Sequence, residues 1–171
     1  MPPSSSRIAQ ETTLVYGEIT FEAFGVIFEK ISKVYGLPNV GNSGSAGIMQ
    51  NRGGSFYDLG SGTGKPVIAA AILHNFDTCV GIEVLESIYS ISLDALASYN
   101  TRGKTKLADR EYDTHCQFLL GDFCNIRLKD WRDGDVVFAN STCYDEGVSL
   151  SIYLSIYLSI YLSIYLSYLS N

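Results

Sequence analysis

The segment Asp58-Leu-Gly-Ser-Gly-Thr-Gly-Lys65 follows directly on the apolar pair Phe56-Tyr57, and it constrains the fold more tightly than any other stretch of the chain. Apolar residues ending on an acid, then glycines at alternate positions, then Lys-Pro before a run of Val, Ile and Ala, spell a buried strand that turns sharply into a helix. Glycines at 60, 62 and 64 let the backbone come close to a bound small molecule, because no Cβ stands in the way. The helix start adds unpaired N–H groups and a positive dipole end. A strand, turn and helix of this kind belongs to an α/β sheet that holds a nucleotide-like ligand.

Three ligand patterns compete for the loop. A phosphate-cradling loop needs G-x-x-x-x-G-K-[ST], but Leu59 stands where the first glycine belongs and Pro66 replaces the hydroxyl. A dinucleotide fingerprint needs G-x-G-x-x-G; Gly60 and Gly62 fit, yet Lys65 occupies the last position. The remaining pattern, acid-x-Gly-x-Gly-x-Gly, resembles the first motif of class I S-adenosylmethionine-dependent methyltransferases. An acid at Asp58 suits a cationic ammonium better than a pyrophosphate. The bland alternative is a glycine-rich tight turn with no ligand.

The rest of the chain supplies the sheet. Apolar residues at Phe21, Phe24, Ile27, Phe28, Ile31, Val34 and Tyr35 predict one helix face, with Thr20 as its cap and Gly36-Leu-Pro38 as its end. Residues 37–54 are rich in Gly, Ser and Asn and read as a flexible surface loop. A regular alternation follows: strand 55–58, helix 66–74, strand 79–84, helix 85–99, a polar loop 100–114, strand 116–121, and strand 135–139 after an irregular piece around Trp131. In the second helix Leu85, Ile88, Tyr89, Leu96 and Tyr99 are expected to face inward. The strands are apolar on both sides, as in a parallel sheet covered by helices on both faces.

Composition excludes several classes. A length of 171 residues allows one modest domain, and a net charge of −6 argues against a nucleic-acid surface. Arg102, Lys104 and Lys106 form the basic cluster, which reads as a solvated loop. Cys79, Cys116, Cys124 and Cys143 lack C-x-x-C spacing and form no ligand pattern with His74 and His115, so neither zinc nor a disulfide frame is expected, and a reducing interior suits them. Residues 1–10 read as a disordered terminus without a signal peptide. From Ser151 the chain repeats Ser-Ile-Tyr-Leu to Leu166. The tetranucleotide TCTA, read in threes, encodes that repeat, so residues 148–171 are read as a translated microsatellite; codons that form no TCTA run would refute this. A serine every fourth residue and no basic flanks make a membrane span the weaker reading.

Each strand delivers a polar residue to the same sheet edge: Asp58, Glu83, Asp122 and Asn140 in turn. Ligands of open α/β sheets bind beyond the carboxyl ends of the strands. Glu83 can accept both ribose hydroxyls. Asp122 can accept from an adenine amine while Phe123 packs on the base. Any one acid alone would be read as a helix cap.

Val15-Tyr-Gly-Glu18, Asp58-Leu-Gly-Ser-Gly-Thr-Gly64, Gly81-Ile-Glu83, Gly121-Asp-Phe123 and Val137-Phe-Ala-Asn140 occur in the order of one family. Over residues 11–147 the chain resembles the disruptor-of-telomeric-silencing family, the non-SET lysine methyltransferases of the histone H3 core. The resemblance implies a class I methyltransferase Rossmann-like parallel sheet, S-adenosyl-L-methionine as cofactor, histone H3 in nucleosomes as partner, a nuclear location and a monomer. It implies that Tyr16 and Glu18 fold over the cofactor and that Asp58 meets its methionine portion. Glu83 would hold the ribose, Asp122 with Phe123 the adenine, and Asn140 the mouth of a lysine channel. The implied catalytic residues are thus Asn140 and Tyr16, and the cofactor-binding residues Glu18, Asp58, Gly60, Gly62, Gly64, Glu83, Asp122 and Phe123. The family continues Asn-Asn-Phe where this chain has Asn140-Ser141-Thr142, and Tyr144 is the aromatic that could take that place.

A class I sheet has seven strands where four are identified here, so the expectation is a partial domain without its C-terminal strands, inactive on nucleosomes. Two alternatives stand beside the histone enzyme: a class I methyltransferase acting on another protein or a small molecule, and a non-catalytic fragment that binds the cofactor or nothing. A nicotinamide oxidoreductase fits least, because of Lys65.

Overall fold

The computed structural model describes residues 19–35, 49–107, 113–125 and 127–140. Helix α1 (Phe21–Tyr35) starts where Thr20 Oγ1 accepts the Ala23 N–H at 3.2 Å, the cap expected from the sequence. Phe24 and Phe28 are buried and Ile31 packs beside them. Phe21 and Ile27, expected on the same face, are exposed instead. A stripe with 3,4 spacing is wider than the surface this helix covers, so its flanks face water.

Four strands follow: β1 (Ser55–Leu59), β2 (Thr78–Glu83), β3 (His115–Leu120) and β4 (Val136–Ala139). All pair in parallel, in the order β3-β2-β1-β4. This is the beginning of the doubly wound order, with its switch point between β1 and β4. The α/β class and the Rossmann-like parallel sheet of a class I methyltransferase are therefore as expected. Residues beyond 140, including the Ser-Ile-Tyr-Leu repeat, lie outside the described residues.

Between the strands lie α2 (Lys65–Leu73), with Pro66 in its first turn, and α3 (Glu86–Ser98). The expected loop from residue 100 is helical at first. The chain widens into a π-helix at Tyr99–Gly103 and closes with a short α4 (Lys104–Lys106). Three side chains explain it. Tyr99 is anchored in the core, Gly103 has room only for hydrogen beside the Tyr99 ring, and Thr101 Oγ1 donates to the Ala97 carbonyl at 2.8 Å. Within α3, Ser92 and not a leucine is the fully buried residue, and Tyr89 and Leu96 pack against the core as expected.

One core joins Phe24 and Phe28 of α1, the alanines of α2, Phe56, Phe76, Cys79, Tyr99, Cys116 and Phe118. Its aromatic rings meet at angles, with Phe24 and Phe28 centroids 4.6 Å apart and Phe28 edge-on to Phe76 at 6.2 Å. The second core, on the opposite face, joins Tyr57, Leu59, Val80 and Ile82 to Trp131, with Phe123 packed beside them. The described helices α1, α2 and α3 thus contribute to one face, and on the other the described cover is the 123–131 loop.

The amino end of the sheet is closed by acids. Asp77 Oδ2 accepts the Gly54 N–H at 2.9 Å, and Asp135 Oδ2 accepts the Ser55 N–H at 2.7 Å. The end of the expected flexible loop is tied here as well, since the Gly53 N–H reaches the Asn75 carbonyl at 2.7 Å. Cys79 and Cys116 are register neighbours on β2 and β3, buried as free thiols. Burial pushes the Cys79 thiol far up, which makes it inert rather than reactive. Among the described residues no group of His, Cys, Asp or Glu could hold a metal, and no helix is long and apolar enough to cross a membrane.

Candidate functional site

The carboxyl end of the sheet is built differently from the amino end. After β1 the chain turns through Gly60, Gly62 and Gly64, with φ of 74°, 55° and 81°, all in the left-handed region that favours glycine. The Gly60 and Ser61 N–H groups both donate to the Ile82 carbonyl, at 2.9 and 3.0 Å, which lays the loop across the end of β2.

Glu83, the last residue of β2, fastens the loop from the other side. Its Oε2 accepts the Gly62 N–H and its Oε1 accepts the Leu85 N–H, both at 2.8 Å. The carboxylate is buried, and both oxygens retain lone pairs for further donors. Glu83 is therefore a brace for the glycine loop in addition to its expected role toward a ribose.

Asp58 is 1% exposed, and its Oδ2 has no hydrogen-bond partner. The Ser61 hydroxyl is buried and likewise without one. Two such atoms in one place are unusual, since buried polar groups are nearly always paired. Burial, and then the charge of Glu83, push the Asp58 carboxyl up to about 8. The register explains the crowding. Asp58 is paired with Gly81, where an added Cβ would stand 2.7 Å from Ser61 Cβ and Oγ, so Ser61 folds over the one strand position that leaves it room.

The other expected residues fall at the same edge. Asp122 lies just past β3, which pairs Leu120 with Glu83. It is exposed, and its Oδ1 accepts the Cys124 N–H at 2.8 Å, so one oxygen shapes the turn. Phe123 is half-buried against the second core, and its carbonyl accepts the Trp131 Nε1–H at 2.8 Å. Asn140 is half-buried directly after β4, whose Ala139 pairs with Leu59 at the switch point. The fold thus brings Asp58, Gly60, Gly62, Gly64, Glu83, Asp122, Phe123 and Asn140 to one edge. Tyr16 and Glu18 lie outside the described residues.

Reading the residues alone passed over Ser61, Gly81 and Trp131. Ser61 is set apart from Thr63 by its place over β2, which depends on a strand contributed later in the chain. Gly81 carried a signal, a glycine inside an apolar strand, which marks a close backbone or side-chain approach.

Chemically, the edge offers a buried carboxyl with one unpartnered oxygen, a braced carboxylate beside it, and a glycine loop that admits a close ligand. A nucleoside carrying an ammonium group fits that donor and acceptor set. A pyrophosphate suits it less, since it would meet two carboxyl groups.

A family model described as histone methylation protein DOT1 matches residues 42–158, more than half of the chain. No curated protein matches the sequence significantly. Among solved structures, the chain is similar to an RNA methyltransferase from Salinibacter ruber in complex with S-adenosyl-L-homocysteine, at 28% identity and a TM-score of 0.35, over 50% of this chain and 46% of that one. It is similar also to a Methanococcus maripaludis protein assigned as an S-adenosyl-L-methionine-dependent methyltransferase, at 21% identity and a TM-score of 0.46. That likeness covers 86% of this chain and 61% of the other, so the chain spans less than two thirds of either structure.

Proposed function

Because the chain belongs to the DOT1 histone-methylation family, we propose that it binds S-adenosyl-L-methionine at the carboxyl edge of its sheet and methylates a lysine of histone H3 in the nucleus. The observation that carries the reading is the buried Asp58 carboxyl beside the glycine loop, whose Oδ2 has no hydrogen-bond partner. A cationic ammonium is the ligand group that would satisfy it.

Asp58 takes the amino-acid end of the cofactor, with Ser61 beside it. Glu83 accepts the ribose hydroxyls while it braces Gly62, and Asp122 and Phe123 serve the adenine. Gly60 and Gly62 let the backbone approach. Asn140, at the switch point beside β1, borders the reacting end, and Tyr16 and Glu18 close over it. When bound, S-adenosyl-L-methionine supplies an electrophilic methyl group. The protein's part is to align a neutral lysine amine with that methyl and to keep water out, which favours the uncharged amine. Nothing in this scheme needs a covalent intermediate with the protein or a metal.

Titration calorimetry with S-adenosyl-L-homocysteine, followed by mass spectrometry of core histones and of nucleosomes incubated with S-adenosyl-L-methionine, tests both halves. Heat of binding and a methylated lysine on free core H3 are expected, with nucleosomes left unmodified. Absence of heat overturns the cofactor assignment. Binding without methyl-lysine on either substrate overturns the histone assignment.

A further inference from the structure

We propose that Asp58 is a neutral carboxylic acid in the ligand-free protein and gives its proton to solvent when the ammonium of a ligand's amino-acid end binds beside it, so that the site takes that group with exchange of a proton. The inference rests on the cofactor reading above and concerns the specificity of the same site.

Asp58 and Glu83 end neighbouring strands and lie close enough for the charge of one to act on the other. Two adjacent buried carboxyls do not both ionise easily, and one of them holds a proton. The hydrogen bonds of the two differ. Each oxygen of Glu83 accepts a backbone N–H. Asp58 Oδ2 accepts nothing, so Asp58 is the member that stays neutral.

Gly81 of β2 and Phe138 of β4 flank Asp58 in register, Ser61 of the loop lies over Gly81, and α1 brings Phe24 against Phe138 with ring centroids 5.2 Å apart. Among the described residues, Glu83 is the one ionisable group whose charge acts on Asp58; Lys65, which opens α2 directly after the glycine loop, is not among the groups that do.

Binding then pairs the new charge as it forms. The Asp58 O–H bond breaks, its proton goes to the buffer, and the new carboxylate faces the ligand's ammonium, which keeps its own protons. The ammonium spares Asp58 the several kcal/mol per ion that an uncompensated buried charge costs. A ligand with the same nucleoside but no ammonium leaves Asp58 protonated and gains nothing from it.

Calorimetry in two buffers of different ionisation enthalpy reads the exchange directly. At about pH 6.5, S-adenosyl-L-homocysteine should release about one proton per site, falling to roughly half a proton at about pH 8. 5′-Methylthioadenosine, which lacks the amino-acid end, should release none, and Asp58→Asn should bind S-adenosyl-L-homocysteine more weakly and without proton release. Carbon-13 NMR of the aspartate carboxyls in ligand-free protein gives an independent reading, with the signal lost in Asp58→Asn expected to titrate near pH 8. Binding with no proton released, or an Asp58 signal titrating in the ordinary carboxylate range, overturns the exchange while leaving the cofactor reading intact. Failure of both ligands to bind overturns the two together.

Discussion

Gly64 carries two constraints that a motif reading merges into one. Its φ of 81° is left-handed, and a Cβ there would stand 2.3 Å from Phe118 Cζ and 3.1 Å from Ser92 Cβ. The left-handed backbone costs a non-glycine residue about 1–2 kcal/mol, and overpacking a core adds about 1–3 kcal/mol. Gly64→Ala is therefore expected to destabilise the fold by about 2–5 kcal/mol, read as a lower urea midpoint. Adding Phe118→Leu should recover the packing part and leave the backbone part. An unchanged midpoint in the single variant would show that the loop is not held as described. The residues show how much of the site was legible: the glycines announced the turn, and the acids announced the edge. That Gly64 makes room for Phe118, and Gly81 for Ser61, was not legible, because each depends on a strand that only the crossovers bring alongside. The different hydrogen bonding of Asp58 and Glu83 was hidden for the same reason, since it depends on backbone N–H groups and not on side-chain type.

At the scale of elements, the strands lie within one residue of their expected ends because a parallel strand is a short apolar run bounded by polar residues. The helices were harder to read. The outward turn of Phe21 and Ile27 reflects how little of α1 the sheet covers, and the π-helix at Tyr99–Gly103 hides in a sequence, Tyr-Asn-Thr-Arg-Gly, that reads as loop. The segment between β3 and β4 has no regular structure to predict, and one side chain organises it. Trp131 is 3% exposed and donates its indole N–H to the Phe123 carbonyl, joining the turn at Asp122 and Phe123 to the second core. Trp131→Phe keeps most of the apolar volume but removes that hydrogen bond. A hydrogen bond contributes about 0.5–1.5 kcal/mol net, and a loss of stability in that range is expected. S-adenosyl-L-homocysteine should also bind more weakly, because Phe123 is then held less firmly. Calorimetry and denaturation of the same preparation check both, and weaker stability with full affinity would separate Phe123 from the ligand.

In the whole molecule the two ends of the sheet divide the labour of its acids. Asp77 and Asp135 at the amino end are spent on backbone N–H groups, and they hold the chain where it enters β1. Glu83 and Asp122 at the carboxyl end make an acidic rim beside the buried Asp58 carboxyl, on a chain of net charge −6. Such a rim attracts a cationic cofactor or an amine and repels a polyanion. The glycine loop binds this rim into one unit: Ile82 and Glu83 hold Gly60, Ser61 and Gly62, and the Glu83 carbonyl accepts the Gly121 N–H at 2.9 Å. A ligand that engages Asp58 and Glu83 should therefore tighten β1, β2 and the turn after β3 together. At a hundredfold excess over its dissociation constant it adds about 2.7 kcal/mol to stability. With S-adenosyl-L-homocysteine at that excess, Tm should rise, and hydrogen exchange should slow at the Gly60, Ser61 and Gly62 amides and at Gly121 in the same titration. Protection that appears at Gly121 without the glycine loop would mean that the ligand sits only at the outer edge of β3, and the Asp58 assignment would fall with it.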